Sequence, residues 1–247
     1  MSPVYYAWAL ALAGRANEAR ELAERSVREA RDLGTNAHVQ ALTYLAAVLE
    51  AIRDIERARE TAEQIIELAE KFGYSSWLGA MGHCTRGWTR SLLGEPQEGL
   101  AEVRHGFEAY RTVSASLALT HRVSFLAEVM LRAGLADEAA KLIDETLSAA
   151  RGRIEHVFDP ELLRIRGECD GARNSNREAV AWFRRAAELA ARTGAVIFEL
   201  RALGAIVRFA KSDKQCAVRL RELAARHAQG IGSADLDDVQ RALAAQG

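Results

Sequence analysis

The residue types that could do chemistry in this 247-residue chain are sparse. Among its six histidines and three cysteines none stands at a metal-chelating spacing. His83 and Cys84 are adjacent, so on a helix their side chains diverge by about 100° and cannot grip one ion together. Gly230-Ile231-Gly232-Ser233 is the nearest approach to a phosphate loop, but it has no lysine and follows a helix. It reads more simply as a linker, with Ser233 capping a last helix and Asp235 and Asp237 near that helix's positive end. Gly-x-x-x-x-Gly-Lys, Gly-x-Gly-x-x-Gly, Gly-x-Ser-x-Gly and His-Glu-x-x-His motifs do not occur. Without a nucleophile–base pair, metal set or cofactor loop, no catalytic, cofactor-binding or metal-ligating residue is assigned, and the chain is expected not to be an enzyme.

Recognition chemistry is better represented. Arg164 is a guanidinium fork that could take a partner's carboxylate, with Glu128 and Glu168 to orient it. The same three residues also read as a structural ion-pair network, since Arg164 and Glu168 stand at i, i+4. Trp88 is either an aromatic platform or part of a core, and His121 lies one turn before Ser124 on the same projected face. Gly82 and Gly87 leave space beside Trp88.

These side chains must be positioned by a repeat. A turn followed by a short polar run and a small residue recurs at Gly14–Ala19, Arg53–Ala58, Gly94–Gly99, Gly134–Ala139, Asn174–Ala179 and, in degenerate form, Asp213–Ala217. The small residues Ala19, Ala58, Gly99, Ala139, Ala179 and Ala217 are separated by 39, 41, 40, 40 and 38 positions. Each unit reads as two helices. Ala118 to Arg132 places apolar residues on one face and stops at Ala133-Gly134. A second helix then begins at Asp137, turns Ala140, Ile143 and Leu147 inward and ends at Arg151-Gly152. Asp159 with Pro160 reads as an N-cap and first helical position. Small residues at Ala7, Ala46, Gly87, Ala127, Gly167 and Ala205 let paired helices approach closely.

The spacing therefore predicts an all-α fold, a right-handed α-solenoid of stacked antiparallel helix pairs with about six pairs plus a C-terminal helix. The units fall at roughly 1–34, 35–74, 75–114, 115–153, 154–194 and 195–229, followed by a short linker and capping helix over 230–247. First helices line the concave side, the usual binding surface of such a stack. That face carries Trp8, Ala47, Trp88, Glu128, Glu168 and Ile206, with Thr43, Cys84, Ser124 and Arg164 one turn earlier. The candidate partner-binding residues are Trp88, His121, Glu128, Arg164 and Glu168.

Several stretches resemble tetratricopeptide (TPR) repeats: Arg86-Gly87-Trp88 with Gly94 and Glu98-Gly99, Gly106 to Tyr110, Phe125 to Glu128, Glu161 to Glu168, and Ala179 with Trp182 to Ala186. The period exceeds the 34 residues of the standard repeat. It is similar to the longer repeats at the C-terminus of bacterial ATPase, nucleotide-cyclase or LuxR/MalT-like regulators. The resemblance implies a non-catalytic module that binds a protein or peptide segment on its concave face, as the regulatory arm of a larger signalling protein. The alternative it implies is a small-molecule sensor regulating an attached ATPase, nucleotide cyclase or transcription regulator.

Charge and composition narrow the partners. Lys+Arg total 33 against 34 Asp+Glu, so there is no electrostatic footprint for nucleic acid or an anionic membrane. No uncharged apolar run reaches the ~18 residues that span a bilayer. Cys84, Cys169 and Cys216 are odd in number and lack a Cys-x-x-Cys, which points to a reducing, cytoplasmic setting. The apolar run Val4 to Ala13 would leave an unprotected side on the first helix. Preceding residues, or self-association through that helix, would cover it.

Overall fold

The computed structural model describes residues 3–73, 75–113, 119–149, 156–210 and 213–244. Helices follow one another as α1 (Pro3–Leu12), α2 (Ala16–Arg31), α3 (Thr35–Ala51), α4 (Ile55–Phe72), α5 (Ala80–Leu92), α6 (Pro96–Val113) and α7 (Leu119–Arg132). The series continues with α8 (Ala136–Ser148), α9 (Asp159–Ala172), α10 (Asn176–Thr193), α11 (Val196–Phe209), α12 (Lys214–Arg226) and α13 (Ser233–Ala244). A π-helical turn, Ser75–Gly79, leads into α5. The molecule is an all-α, TPR-like solenoid of sequential helix pairs, six of them among the described residues, followed by α13.

The turn inside each of the first five pairs is one geometry used repeatedly. The amide of Arg15 donates to Leu10 O, Asp54 to Leu49 O, Glu95 to Arg90 O, Leu135 to Met130 O and Ser175 to Asp170 O, all at 2.9–3.0 Å. This is the Schellman closure, and it requires a left-handed residue just before the donor. Gly14, Gly94 and Gly134 supply it in three units, but Arg53 (φ 53°) and Asn174 (φ 61°) supply it in two. Asparagine tolerates that conformation; arginine is strained there by about 1–2 kcal/mol.

Small residues then let helices touch. A Cβ on Gly87 would stand 2.7 Å from Gly99 O, and one on Gly106 would stand 2.8 Å from Ala80 O, so α5 and α6 are in backbone contact. The helix at Asp159 starts one residue earlier than the Asp–Pro pattern implies: Phe158 precedes it and Pro160 remains in its first turn. Asp213 caps α12, its carboxylate accepting the Cys216 amide at 3.1 Å. The predicted start at Ala118 and stop at Arg151-Gly152 lie outside the described residues.

The pairs wind until the end meets the beginning. The Ala16 amide donates to Gly230 O at 2.8 Å, Asn17 Nδ2 to Gln229 O at 3.0 Å, and Arg201 Nη2 to Ala51 O at 2.7 Å. A side chain on Gly230 would collide with the Gly14 carbonyl, and one on Gly232 with that of Ile52. The Gly230–Gly232 segment, expected as a linker, is therefore a packed joint with Ile231 buried in it. Closure changes the inner layer. An open solenoid leaves the concave side of its first helices wet, whereas every residue of α7 from Thr120 to Met130 is buried.

Candidate functional site

The closed inner layer encloses charge. Four carboxylates (Glu50, Glu128, Glu161, Asp235) face four guanidiniums (Arg53, Arg122, Arg164, Arg201), all buried or nearly so. They come from α3, α7, α9, α11 and α13 and from the turn after α3, so the network ties together helices far apart in sequence. Glu50 receives Arg122 Nη2 at 3.1 Å, His121 Nε2 lies 3.1 Å away, and Thr85 Oγ1 donates to its other oxygen. Arg53 Nη2 lies 3.1 Å from Glu128 Oε1 and 3.8 Å from Glu161. Arg164 forks onto Glu161 with two bonds of 2.9 Å, and Arg201 forks onto Asp235 at 2.8 and 2.9 Å. Bidentate pairs of this kind are the geometry that offsets the desolvation of buried ions.

Titration follows from that arrangement. Burial pushes the Glu50 carboxyl up, but Arg122 and then His121 outweigh it and hold it at about 2. Burial acts likewise on Glu128, where Arg53, Arg164 and Arg132, with the Trp88 hydrogen bond, bring it to about 2. Glu161 is also lowered, burial being overcome by Arg164 and Arg201. The left-handed Arg53 is explained here: the strained turn delivers a guanidinium to two carboxylates on neighbouring inner helices.

The sequence-predicted residues converge on this network. Trp88 is 1% exposed, stacks on Phe125 with centroids 4.7 Å apart, and donates Nε1–H to Glu128 Oε2 at 2.9 Å. The space left by Gly82 and Gly87 is filled by Ile66 of α4 and by the α6 backbone, so it does not open Trp88 to a groove. His121 is buried between Trp8, Phe125 and Phe158. Glu168, at the edge, accepts from Arg164 at 3.3 Å and from Arg208 at 2.7 Å. Thus Trp88, His121, Glu128 and Arg164 are interior groups, not the floor of an open concave groove. His83 and Cys84 diverge, His83 toward Glu102 and His105, Cys84 against Gly106. Among the described residues, no three His, Cys, Asp or Glu side chains could hold a metal ion.

Glu50, Arg53, Arg122, Phe158, Glu161, Arg201 and Asp235 were not marked by spacing arguments. Glu50 carried a signal, as the lone charge in the apolar stretch Ala41 to Ile52, whereas Glu161 stands among five other charges in α9.

The network borders two depressions. Arg53, Arg164 and Arg201 reach from it into a cleft of about 340 Å³ whose other walls are Leu200, Gly204, Val239, Asp235 and Asp238, with Arg208 and Arg241 at the rim. Arg208 is 50% and Arg241 70% exposed in their side chains. His121 and Arg122 form part of the wall of a second cavity of about 150 Å³, otherwise made by Tyr5, Trp8, Thr43, Tyr44, Ala47, Trp77, Met81 and Tyr110.

Solved structures share the fold. RapI in its apo form aligns over 98% of this chain and 85% of its own, with 12% identity and a TM-score of 0.55. A point variant of the nearly identical TPR-like repeats of a Podosopora anserina kinesin light chain covers 78% of this chain and 94% of its own, with 20% identity and a TM-score of 0.50. No family model and no curated protein matches the sequence. Among the described residues no helix is long and apolar enough to cross a membrane.

Proposed function

We propose that this chain is a non-catalytic interaction module that takes a carboxylate-bearing segment of a protein partner into the arginine-lined cleft. The observation that carries the reading is the polarity of that cleft. Five guanidiniums (Arg53, Arg164, Arg201, Arg208, Arg241) line it against two carboxylates, Asp235 and Asp238, which pair with Arg201 and Arg241, while Glu128, Glu161 and Glu168, which pair with the other three, stand outside the lining. The lining therefore carries an excess of positive charge toward an incoming acidic group. This moves the docking surface from the whole concave face to one edge of it and keeps Arg164 and its neighbour Glu168 at the site. The role of regulatory arm in a larger signalling protein rests on the repeat resemblance. The small-molecule alternative is favoured by one observation, the aromatic cavity on the other side of the network.

The test is fluorescence anisotropy with a labelled eight-residue Asp/Glu-rich peptide bearing a free C-terminal carboxylate. Gly204 lines the cleft with nothing within 4 Å of a would-be Cβ, so Gly204→Phe blocks the cleft without an internal clash. Binding is expected to be saturable, to weaken with salt as exposed charges do, and to disappear in Gly204→Phe and in Arg208→Glu/Arg241→Glu. Both variants should retain the parent Tm. Equal binding of a Lys-rich peptide, or full binding by Gly204→Phe, sinks the reading.

A further inference from the structure

The last helix does not continue the repeat. Each first helix from α3 to α11 packs mainly on the second helix before it, whereas α13 lies chiefly on the inner helix α11 and only lightly on α12. It also lies beyond the seam. The Ala16 amide closes on Gly230, before α13 begins at Ser233, so closure of the circle does not depend on that helix.

The hold of α13 on α11 is one ion pair and a narrow apolar strip. Arg201 forks onto the buried Asp235, while Val239 and Ala242 join the apolar core that includes Leu200 and Leu203. Packing between the two helices is incomplete. The cleft of about 340 Å³ lies between Leu200, Gly204 and Arg208 of α11 and Asp238 and Arg241 of α13. Among the described residues nothing comes within 4 Å of a would-be Cβ on Gly204, whereas the same atom on Gly87, Gly106 or Gly167 would stand 2.5–2.8 Å from a neighbour. A helix of 12 residues is marginal by itself and depends on such contacts.

A helix held in a groove is recognised through anchors at i, i+4 and i+7, and Asp235, Val239 and Ala242 stand at that spacing. The receiving side is built without α13, because Arg201 also donates to Ala51 O at 2.7 Å. A guanidinium fork then adds direction to the attraction for a carboxylate. We propose that the inner face of α11 is a docking groove for an acidic amphipathic helix of a protein partner, and that α13 is the resident occupant which such a helix displaces. The partner helix carries a carboxylate, a branched apolar residue four positions later and a small residue seven positions later. That docking rests on the acidic-segment reading of the cleft and specifies the segment's form: it is helical, and its carboxylate takes the Arg201 fork from Asp235.

The experiment uses the full chain and a capped synthetic peptide of residues 231–244, with fluorescence anisotropy for binding and hydrogen–deuterium exchange for α13. The parent should bind this peptide weakly, because the tethered copy competes at an effective concentration on the order of 1 mM. Asp235→Asn in the chain should raise peptide affinity by about tenfold and speed α13 exchange by about tenfold, with exchange in α7 unchanged. Asp235→Asn in the peptide should cancel the gain. Saturating the parent with the eight-residue acidic peptide should likewise speed α13 exchange. Equal binding of the helical peptide to parent and variant, equal binding of its Asn form, or α13 exchange that rises only together with that of α7 overturns the proposal. Protection of α13 by the eight-residue peptide overturns it too, yet leaves the acidic-segment reading standing. Failure of both peptides to bind either form strikes that reading and the docking together. Should Asp235→Asn fail to fold, Val239→Ala, which trims the apolar anchor and leaves Arg201 paired, decides by the same readouts.

Discussion

Substituting Glu128→Gln removes one interior charge and keeps the shape, including an oxygen able to accept the Trp88 indole N–H. The folded carboxyl titrates at about 2 against an ordinary 4.5, and each tenfold change in proton affinity is worth about 1.4 kcal/mol. The ionised form therefore carries about 3 kcal/mol of stability at neutral pH, the same order as other broken buried ion pairs. For a chain of this length that is a Tm loss of roughly 6–12 °C. Because the folded-state pKa is depressed, the contribution is complete above the unfolded value of 4.5 and fades as pH falls toward 2. The gap between parent and variant should thus shrink from about 3 kcal/mol at pH 7 to about 2 at pH 3.5 and about 1 at pH 3. Acid loss at Glu50, which shares no cation with Glu128, is common to both proteins and cancels in the difference, whereas Glu161 shares Arg53 with Glu128 and is coupled to it. Urea unfolding at those three pH values, followed by tryptophan fluorescence and far-UV circular dichroism together, measures it. A gap below about 1 kcal/mol at pH 7, or one independent of pH, would refute the reasoning.

Three other expectations follow from the same geometry. Arg122→Met should cost about 3–5 kcal/mol by stranding the Glu50 charge, and Glu50→Leu/Arg122→Met should recover more than half of it in urea melts; a double variant as unstable as the sum of its parts contradicts the pairing. Gly87→Ala pushes a methyl to 2.7 Å from the Gly99 carbonyl and should destabilise by about 1–3 kcal/mol, against the usual gain for alanine in a helix; a more stable protein would show that α5 and α6 can part. Burial pushes the thiols of Cys84 and Cys169 up to about 12 and about 11, so both should stay silent toward a thiol-disulfide reagent at pH 8 until the chain unfolds. Rapid titration of three thiols in the native protein would contradict that burial.

What could be read in advance was what repeats. A turn signature every 40 residues or so gave the helix pairs, their order and their close approaches, since each depends on neighbours in sequence. The candidate residues lie together, because a helical register projects Trp88, Glu128, Arg164 and Glu168 onto the same side. What did not follow was whether that side stayed open. Curvature accumulates from small rotations between pairs that no local pattern encodes, and it decides whether Gly230 reaches Gly14. The missed residues share this cause: Arg53 reads as a turn residue, Glu50 as an isolated acid, and Arg201 as a surface charge until closure sets them against Glu128, Arg122 and Asp235. The wet groove expected beside Trp88 was lost for the same reason.

The contact between Gly230 and Ala16 also changes how the molecule can vary and unfold. In a linear stack stability is a sum over units and their adjoining faces, so terminal units loosen first and copies can be added or removed at small cost. Joining the ends imposes a rotation that only one number of units satisfies. Duplication or loss of a unit would break the seam and expose eight paired interior charges to misalignment at once. The array is thereby locked in length, and denaturation should proceed as one event around the circle, without fraying inward from a tip.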